Sequence, residues 1–514
     1  MPRLTRQERT AIHRRTSEVV DRFQAFEGKS WRSYLHIHTT TPQRICRFDE
    51  GPTLPQLQGF IQAAEANGMR VRAVGSGHSF SDVAVTDAYL IDTSGLTGEI
   101  DLPDSWLKTE MIGWDGEPVA RGALVALAAG TRVREAAEIL DRKGLGLLAM
   151  GSFDGQTLAG ALATSTHGSG IDRPPMCDMV LSMVIVATAG QAYRLEPTDG
   201  ITDPERYPPD EPRLVQDDQV FSAALVNLGC MGVLHSLVIQ GGAAHDLVEE
   251  RRIVDHRALR DQLAPSQVST FARSAQHLEI HFSPFSNGDR QGLILSRNPT
   301  HTPLRPPRPW RKAHPLSKVL ARQTRFRSPA GIARGFQIAA TVALWEQRLH
   351  GPYINRSHRV FPGGSAEMGG YGCEWSFPIE STLEALDRGF AVIEKCAADG
   401  EQVQTGPIGV RFVRRSRASL SPQYGRTSVA LEFTCLYGTP GWNHETGERD
   451  DYILMHRLAQ AFEDFPDARP HWGLSFSRRE GTPTHPGWEE WAKVVRQFNP
   501  RGTFDNTFSE RLGM

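Results

Sequence analysis

The chain's 514 residues, 39% of them hydrophobic, are ample for two or three domains and a large core, and 48 glycines with 33 prolines imply the many tight turns of a loop-rich α+β protein. A formal net charge of -2 gives no reason to expect nucleic acid or an anionic membrane as partner. The six cysteines (Cys46, Cys177, Cys230, Cys373, Cys396, Cys435) are scattered without a C-x-x-C pair, which argues against a zinc site or a disulfide framework and for reduced, buried thiols in a cytoplasmic protein.

The N-terminus is charged (Arg3, Arg6, Glu8, Arg9, Arg14, Arg15) and lacks an apolar core segment, so no signal peptide is expected. Residues 4–27 read as an amphipathic helix and 31–47 as extended chain. A helix is expected over 55–66, with Thr53 as its cap and Gly68 just past its end. Residues 71–74 form a short apolar run that reads as a buried strand. It breaks into Gly75-Ser76-Gly77, after which His78 stands beside the hydroxyls of Ser79 and Ser81. Glycines permit backbone angles that turn successive N–H groups one way, and such a concave row of donors suits a pyrophosphate. Further strands are expected at 88–91 and 118–129, and Gly130-Thr131 leads into a helix over 133–143 stopped by Gly144. This strand–helix–strand rhythm implies an α/β-type lobe.

A second glycine-rich segment runs from 150 to 170. Thr157 can cap a short helix holding Leu158 and Leu162, and the small Gly160 and Ala161 let that helix approach a flat ring or a diphosphate closely. Ser165-Thr166-His167-Gly168 then sets hydroxyls, an imidazole and free N–H groups side by side. Strands are expected at 179–188 and 193–195, and 221–239 reads as a glycine bend between two apolar strands. After about residue 243 the texture changes. Residues 305–327 are basic and proline-rich and read as a solvated loop. The apolar run 335–345 is too short to span a bilayer. Strands at 371–380, 407–416 and 427–437 suit one mostly antiparallel sheet, with a helix over 383–397 upon it, and Arg469-Pro470-His471-Trp472-Gly473 opens the closing segment.

Gly-Ser-Gly-His-Ser at 75–79 and Gly-Ser-x-x-x-Gln-Thr-Leu-Ala-Gly-Ala-x-x-Thr-x-Thr-His-Gly-Ser-Gly at 151–170 together resemble the FAD-linked oxidases of the vanillyl-alcohol-oxidase superfamily, in their aldonolactone and alditol oxidase branch. The resemblance implies an α+β fold: a two-lobed PCMH-type FAD-binding domain over 31–243, a cap domain with a large antiparallel sheet flanked by helices over 244–475, an N-terminal helical extension over 1–30, and a segment, 476–514, that returns to the FAD-binding domain. It also implies FAD covalently held through His78, a role for which a neutral imidazole is chemically competent; the plainer alternative is that His78 only hydrogen-bonds a phosphate. By the same likeness, the N–H groups of Gly75, Ser76, Gly77, His78 and Ser79, with Ser81, Gly151, Ser152, Thr157, Gly160, Ala161, Ser165, Thr166 and Gly168, would hold the diphosphate and ribityl chain. Gly229, Gly232 and Leu234 would lie along the adenine. His167 would either touch the cofactor or tie down its loop, and the loop role is favoured.

Members of this family oxidise a carbinol: a base takes the hydroxyl proton, hydride passes to the flavin, and O₂ reoxidises it with release of hydrogen peroxide. They are expected to carry a Glu-x-Arg pair on the cap sheet and a lysine after His-Trp-Gly. This chain keeps Arg411 but has Gly409 in place of the glutamate, and Leu474 in place of the lysine. Losing an acid and a cation implies a more apolar pocket, hence a small-molecule substrate other than a standard sugar lactone, such as a biosynthetic intermediate. Arg411 is expected to steady a developing alkoxide. His471 is the first choice for the base, with Glu374, Tyr371 and Tyr424 behind it. A dehydrogenase using another electron acceptor, and a non-catalytic flavin-binding protein, are the competing readings.

Overall fold

The computed structural model describes residues 30–33, 37–47, 53–302, 328–361, 370–477 and 483–514. The expected helix over 4–27 and the basic stretch 305–327 lie outside the described residues.

The first lobe holds two sheets. Strand β1 (Arg44–Arg47) is followed by helix α1 (Leu54–Ala66), then β2 (Val71–Val74) and β3 (Tyr89–Asp92); the three strands form a parallel sheet in the order β1-β3-β2. The start of α1 is fixed as its sequence implies: Pro55 sits in the first turn, and the Gln56 side chain accepts from the Thr53 N–H at 3.0 Å. The second sheet is built from β4 (Leu124–Ala128), β5 (Val180–Val186), β6 (Ala192–Glu196), β7 (Arg213–Gln216) and β8 (Val233–Gln240), in the order β7-β6-β5-β8-β4. Every residue of β4 and β5 is buried, as continuous apolar runs predict. Helix α2 (Val133–Arg142) buries Val133, Ala136, Ala137 and Leu140, a spacing that makes one face, and α3 (Leu158–Ala163) is the short helix expected after Thr157.

Two expectations for this lobe are corrected. Only 124–128 of the run 118–129 is strand, because 121–123 form a helical turn. Residues 221–239 are not two strands: helix α4 (Asp218–Leu225) precedes the bend. Asp217 caps α4 by accepting from the N–H groups of Gln219 and Val220 at 2.8 and 3.0 Å, while Phe221, Ala224 and Leu225 turn inward.

The second lobe is one antiparallel sheet of eight strands: β9 (Asp246–Asp255), β10 (His277–Phe282), β11 (Gln291–Thr300), β12 (Tyr353–Arg356), β13 (Gly370–Pro378), β14 (Ile408–Val413), β15 (Ser428–Leu436) and β16 (Arg469–Pro470), ordered β12-β9-β11-β10-β14-β15-β13-β16. Three of these strands, β13 to β15, match the sequence expectation; β9 to β12 and the short β16 carry no such signal, nor does the full length of helix α5 (Pro329–His350). The sheet has two unlike faces. Tyr371, Cys373, Trp375 and Phe377 with Ile408, Val410 and Phe412 pack in one apolar cluster with residues of helices α6 (Thr382–Ala398) and α7 (Ile453–Glu463). The alternate residues, Glu374, Arg411 and Glu279 among them, take the other face, since side chains alternate along a strand. That face meets the second glycine-rich segment: the Gly170 N–H donates to Phe412 O at 2.6 Å, and His277 Nδ1 lies 2.7 Å from Ser169 O.

The end of the chain packs back on the first lobe. Helix α8 (Trp488–Phe498) adds Trp488, Trp491, Val494 and Val495 to that lobe's core, with the Trp491 indole donating to Val226 O at 3.0 Å. No helix among the described residues is long and apolar enough to cross a membrane. All six cysteines are buried and unpaired.

Candidate active site

The two glycine-rich segments touch. A Cβ placed on Gly75 would run into the hydroxyl of Thr157, so only glycine lets the loop after β2 lie against the start of α3. Thr157 is held there by capping α3, its hydroxyl accepting from the Gly160 N–H at 3.3 Å. Gly77 adopts φ of +63°, a left-handed conformation that reverses the chain ahead of His78. Among the described residues, the backbone N–H groups of Ser76, Gly77 and Ser79 donate to no protein acceptor. Ser76 is exposed and Gly77 and Ser79 are half-buried, so these three N–H groups are open to solvent and available to an external acceptor.

A cleft of about 1130 Å³, mouth included, runs along this contact. Its wall contains Gly75, Ser76, Gly77, His78, Ser79, Ser81, Thr157, Gly160, Gly229, Gly232 and Leu234 from the expected binding set, and His471 from the expected catalytic set. Gly151, Ser152, Ala161, Ser165, Thr166, His167 and Gly168 do not line it, nor do Glu374 and Arg411. Ala161 is in the first-lobe core, and the Ser165 hydroxyl donates to Ser421 Oγ at 2.9 Å. Thr166 Oγ1 is buried with no protein partner among the described residues. The Ser81 hydroxyl is spent on Trp472 O at 2.7 Å, and the Phe80 N–H donates to Gly473 O at 2.7 Å. These bonds clamp the His78 loop to the segment that carries His471.

His78 lies on the cleft wall with its ring 4.0 Å from that of Phe153 and nearly parallel to it, at 18°. Burial pushes its pKa down to about 4, so the imidazole is neutral at physiological pH. Sequence reasoning passed over Arg72, in the middle of an apolar strand. Its guanidinium is buried, makes no ion pair among the described residues, and donates to the carbonyls of Val83 (2.9 Å), Leu228 (2.6 Å), Gly229 (3.1 Å) and Phe504 (2.6 Å). One side chain thereby ties the loop after His78, the Gly229 bend and the C-terminal segment together along the cleft wall.

Beside the cleft lies a buried platform of charge. His167 Nε2 meets Glu374 Oε1 at 2.8 Å, while Nδ1 lies 2.8 Å from Gly168 O. Burial opposes charge on His167, but the Glu374 carboxylate outweighs it and raises the pKa. Burial likewise opposes charge on Glu374, and His167, then His471 and Arg411, overcome it and bring the carboxyl down to about 2. Arg411 reaches Glu432 at 2.6 Å, Glu279 at 2.9 Å and Glu374 at 3.4 Å. Arg297 adds bonds to Glu279 and Glu249 at 3.1 and 2.9 Å.

His471 is placed between platform and cleft. Its backbone N–H donates to Glu374 O at 2.9 Å, its ring centre is 6.0 Å from that of His167, and its Nδ1 is buried with no partner among the described residues. Burial lowers its pKa to about 4, against the pull of Glu374, so the ring is neutral and basic at neutral pH. Of the other candidates for the base, Glu374 adjoins His471 but is held ionised by His167, whereas the Tyr371 hydroxyl donates to Asp451 O at 2.5 Å on the opposite face of the sheet and Tyr424 stacks on His485.

At the two departures from the expected pattern, the structure differs from a simple loss of polarity. Leu474 does line the cleft. Gly409, however, stands directly across the sheet from Glu432, which places a carboxylate within 3.5 Å of where a Cβ at 409 would be. The acid absent at 409 is thus matched by one on the neighbouring strand, although neither residue is on the cleft wall.

Comparison with known proteins agrees with this geometry. A family model described as "FAD binding domain" matches residues 53–196, and one described as "D-arabinono-1,4-lactone oxidase" matches residues 253–512. An L-gulono-1,4-lactone dehydrogenase of Mycobacterium tuberculosis is 25% identical over 492 residues, covering 94% of this chain and 98% of that protein. An alditol oxidase of a Streptomyces species is 25% identical over 449 residues, covering 85% and 89%. Among solved structures, cholesterol oxidase from B. sterolicum superposes with a TM-score of 0.69 at 15% identity over 94% of this chain and 96% of that one, a likeness of fold alone.

Proposed function

Because the chain belongs to the D-arabinono-1,4-lactone oxidase family and carries an FAD-binding domain ahead of that region, we propose that it oxidises a CH–OH group of a small-molecule substrate, with O₂ as the final acceptor and hydrogen peroxide as co-product. It is an FAD-dependent oxidoreductase. FAD, when bound, supplies the hydride-accepting ring. The residues present fit it: three unpartnered N–H groups after β2 would hold its diphosphate, the wall at Gly229, Gly232 and Leu234 would take its adenine end, and the neutral His78 would be the point of covalent attachment. On this reading 31–243 together with 476–514 forms the cofactor-binding domain and 244–475 the cap.

His471 is the catalytic base. Its Nδ1 takes the proton of the substrate hydroxyl as the carbinol carbon gives up hydride. Glu374 and His167 are positioning residues: Glu374 holds the His471 backbone and, ionised to about pH 2, is better suited to steady a charge than to accept a proton. Arg411 anchors Glu374, Glu279 and Glu432 around the place where charge develops.

The observation that carries this reading is that the unpartnered N–H groups of the His78 loop and His471, whose Nδ1 has no partner among the described residues, belong to the wall of one cleft. Anaerobic mixing with a panel of alditols and aldono-1,4-lactones should bleach the flavin, and His471→Ala should slow bleaching at least a hundredfold. Bleaching at the wild-type rate in His471→Ala would remove it from the mechanism. A dehydrogenase that passes electrons to another acceptor is the second reading, favoured by the name of the Mycobacterium relative. One peroxide per substrate oxidised supports the oxidase, and bleached flavin that stays reduced in air supports the dehydrogenase.

A further inference from the structure

His78 is backed by an aromatic ring from the other glycine-rich segment. The Phe153 ring stacks on it at 4.0 Å and 18°, and the Phe80 ring flanks it at 5.9 Å and 45°. His78 lines the cleft whereas Phe153 does not, so Phe153 supports the imidazole without occupying the cavity. Gly155 makes room for this arrangement. A Cβ there would lie 2.6 to 3.3 Å from three carbons of the Phe153 ring, too close for a side chain to be added without moving it. Gly155 is not among the glycines with a left-handed φ, so its backbone does not call for glycine; the ring lying over it does.

The loop that carries the ring is fixed on both sides of Gly155. The carbonyls of Asp154 and Gln156 accept from the N–H groups of Arg134 and Val133 at the start of α2, at 3.0 and 2.9 Å. Phe80 is fixed as well: its N–H donates to Gly473 O, and its side chain is in the apolar cluster of the second lobe. A neutral imidazole attacks along a lone pair in the plane of its ring, so its direction matters as much as its presence, and about 1 Å of misplacement can cost on the order of a hundredfold in rate. A flat surface held against one face stops the ring from tilting and leaves its edge, with the nitrogens, free to point into the cleft.

We infer that Phe153 is a positioning residue for covalent attachment of the flavin: its ring, stacked on His78, aims an imidazole nitrogen into the cleft, and Gly155 provides the space that the stack needs. The inference rests on the FAD-dependent reading above, with His78 as the point of attachment. Attachment forms one C–N bond, between the imidazole and a methyl carbon of the flavin ring, and breaks one C–H and one N–H bond. The two hydrogens stay with the flavin as two electrons and two protons, which O₂ then takes up as hydrogen peroxide. Phe153 takes part in none of these bonds; it acts through the direction of His78.

The test measures total and acid-stable flavin per chain in the purified protein, then follows the acid-stable share during incubation with excess FAD in air. In wild type nearly all the flavin should stay with the acid-precipitated chain. Phe153→Leu, which keeps apolar bulk without the flat face, should hold total flavin within about twofold of wild type, while its acid-stable share falls at least fivefold and grows at least tenfold more slowly. Phe153→Met carries the same expectation should the leucine variant not fold. Gly155→Ala should lower the acid-stable share in the same way. Added to Phe153→Leu it should lower that share no further, because the ring it collides with is gone. A share and a growth rate equal to wild type in Phe153→Leu overturn the inference alone. So does a share that Gly155→Ala lowers equally with and without Phe153, or total flavin lost in step with the acid-stable share. Wild-type flavin that acid releases overturns the covalent link beneath the inference, and a wild type without flavin overturns the function itself.

Discussion

His167 and Glu374, 207 residues apart in sequence, meet at 2.8 Å in the interior and join the glycine-rich segment of one lobe to the sheet of the other. This buried ion pair adds to the Gly170–Phe412 and Ser169–His277 hydrogen bonds that set the same segment against the same sheet.

That pair gives a stability prediction. Glu374 is held at about 2, below its unfolded value near 4.3, so its contribution is present above about pH 4.3 and is lost as pH falls toward 2. His167 is raised, so its contribution is complete below about pH 6.5 and fades as pH climbs through the folded value. Glu374→Ala leaves His167 and Arg411 without this carboxylate and should cost about 3–5 kcal/mol by denaturant unfolding between about pH 4.5 and 6.5. A loss below about 1 kcal/mol would show that the pair does not join the lobes.

The base gives a kinetic prediction. A proton acceptor works only when unprotonated, and His471 titrates near 4. The limiting rate of flavin reduction should therefore fall as pH drops through about 4 and lie flat from there to neutrality. An inflection near 6.5, the value of an unperturbed imidazole, would point to another group.

The contact between the glycine segments gives a third. Gly75→Ala puts a methyl group onto the Thr157 hydroxyl and should force the two loops apart, costing about 1–3 kcal/mol and lowering flavin content several-fold. The paired variant Gly75→Ala with Thr157→Gly removes the obstructing hydroxyl. Flavin content of the single variant equal to wild type would mean that the segments do not form one cradle.

How much of this was legible in the sequence follows from how local each feature is. The loop at 75–79, the Thr157 cap and the small residues of α3 sit within short windows whose glycines and hydroxyls state their conformation. Helix α4 was misread although its cap was present: Asp217 precedes Phe221, Ala224 and Leu225 at helical spacing, and the glycine bend at 229–232 drew the reading toward strands. The charge platform was not legible because it is a matter of register. Nothing near Gly409 reveals that Glu432 stands opposite, and a shift of one residue would have put it in the core. Arg72 was hidden for a related reason: its partners are carbonyls, which carry no signature in side-chain sequence.

The central claim, that the converging glycine segments hold FAD and that His78 anchors it, is tested most directly by acid precipitation of the purified protein. Yellow colour should remain with the wild-type pellet and pass to the supernatant in His78→Ala. Flavin released from the wild type would contradict the anchor, and a colourless protein would contradict the cradle itself.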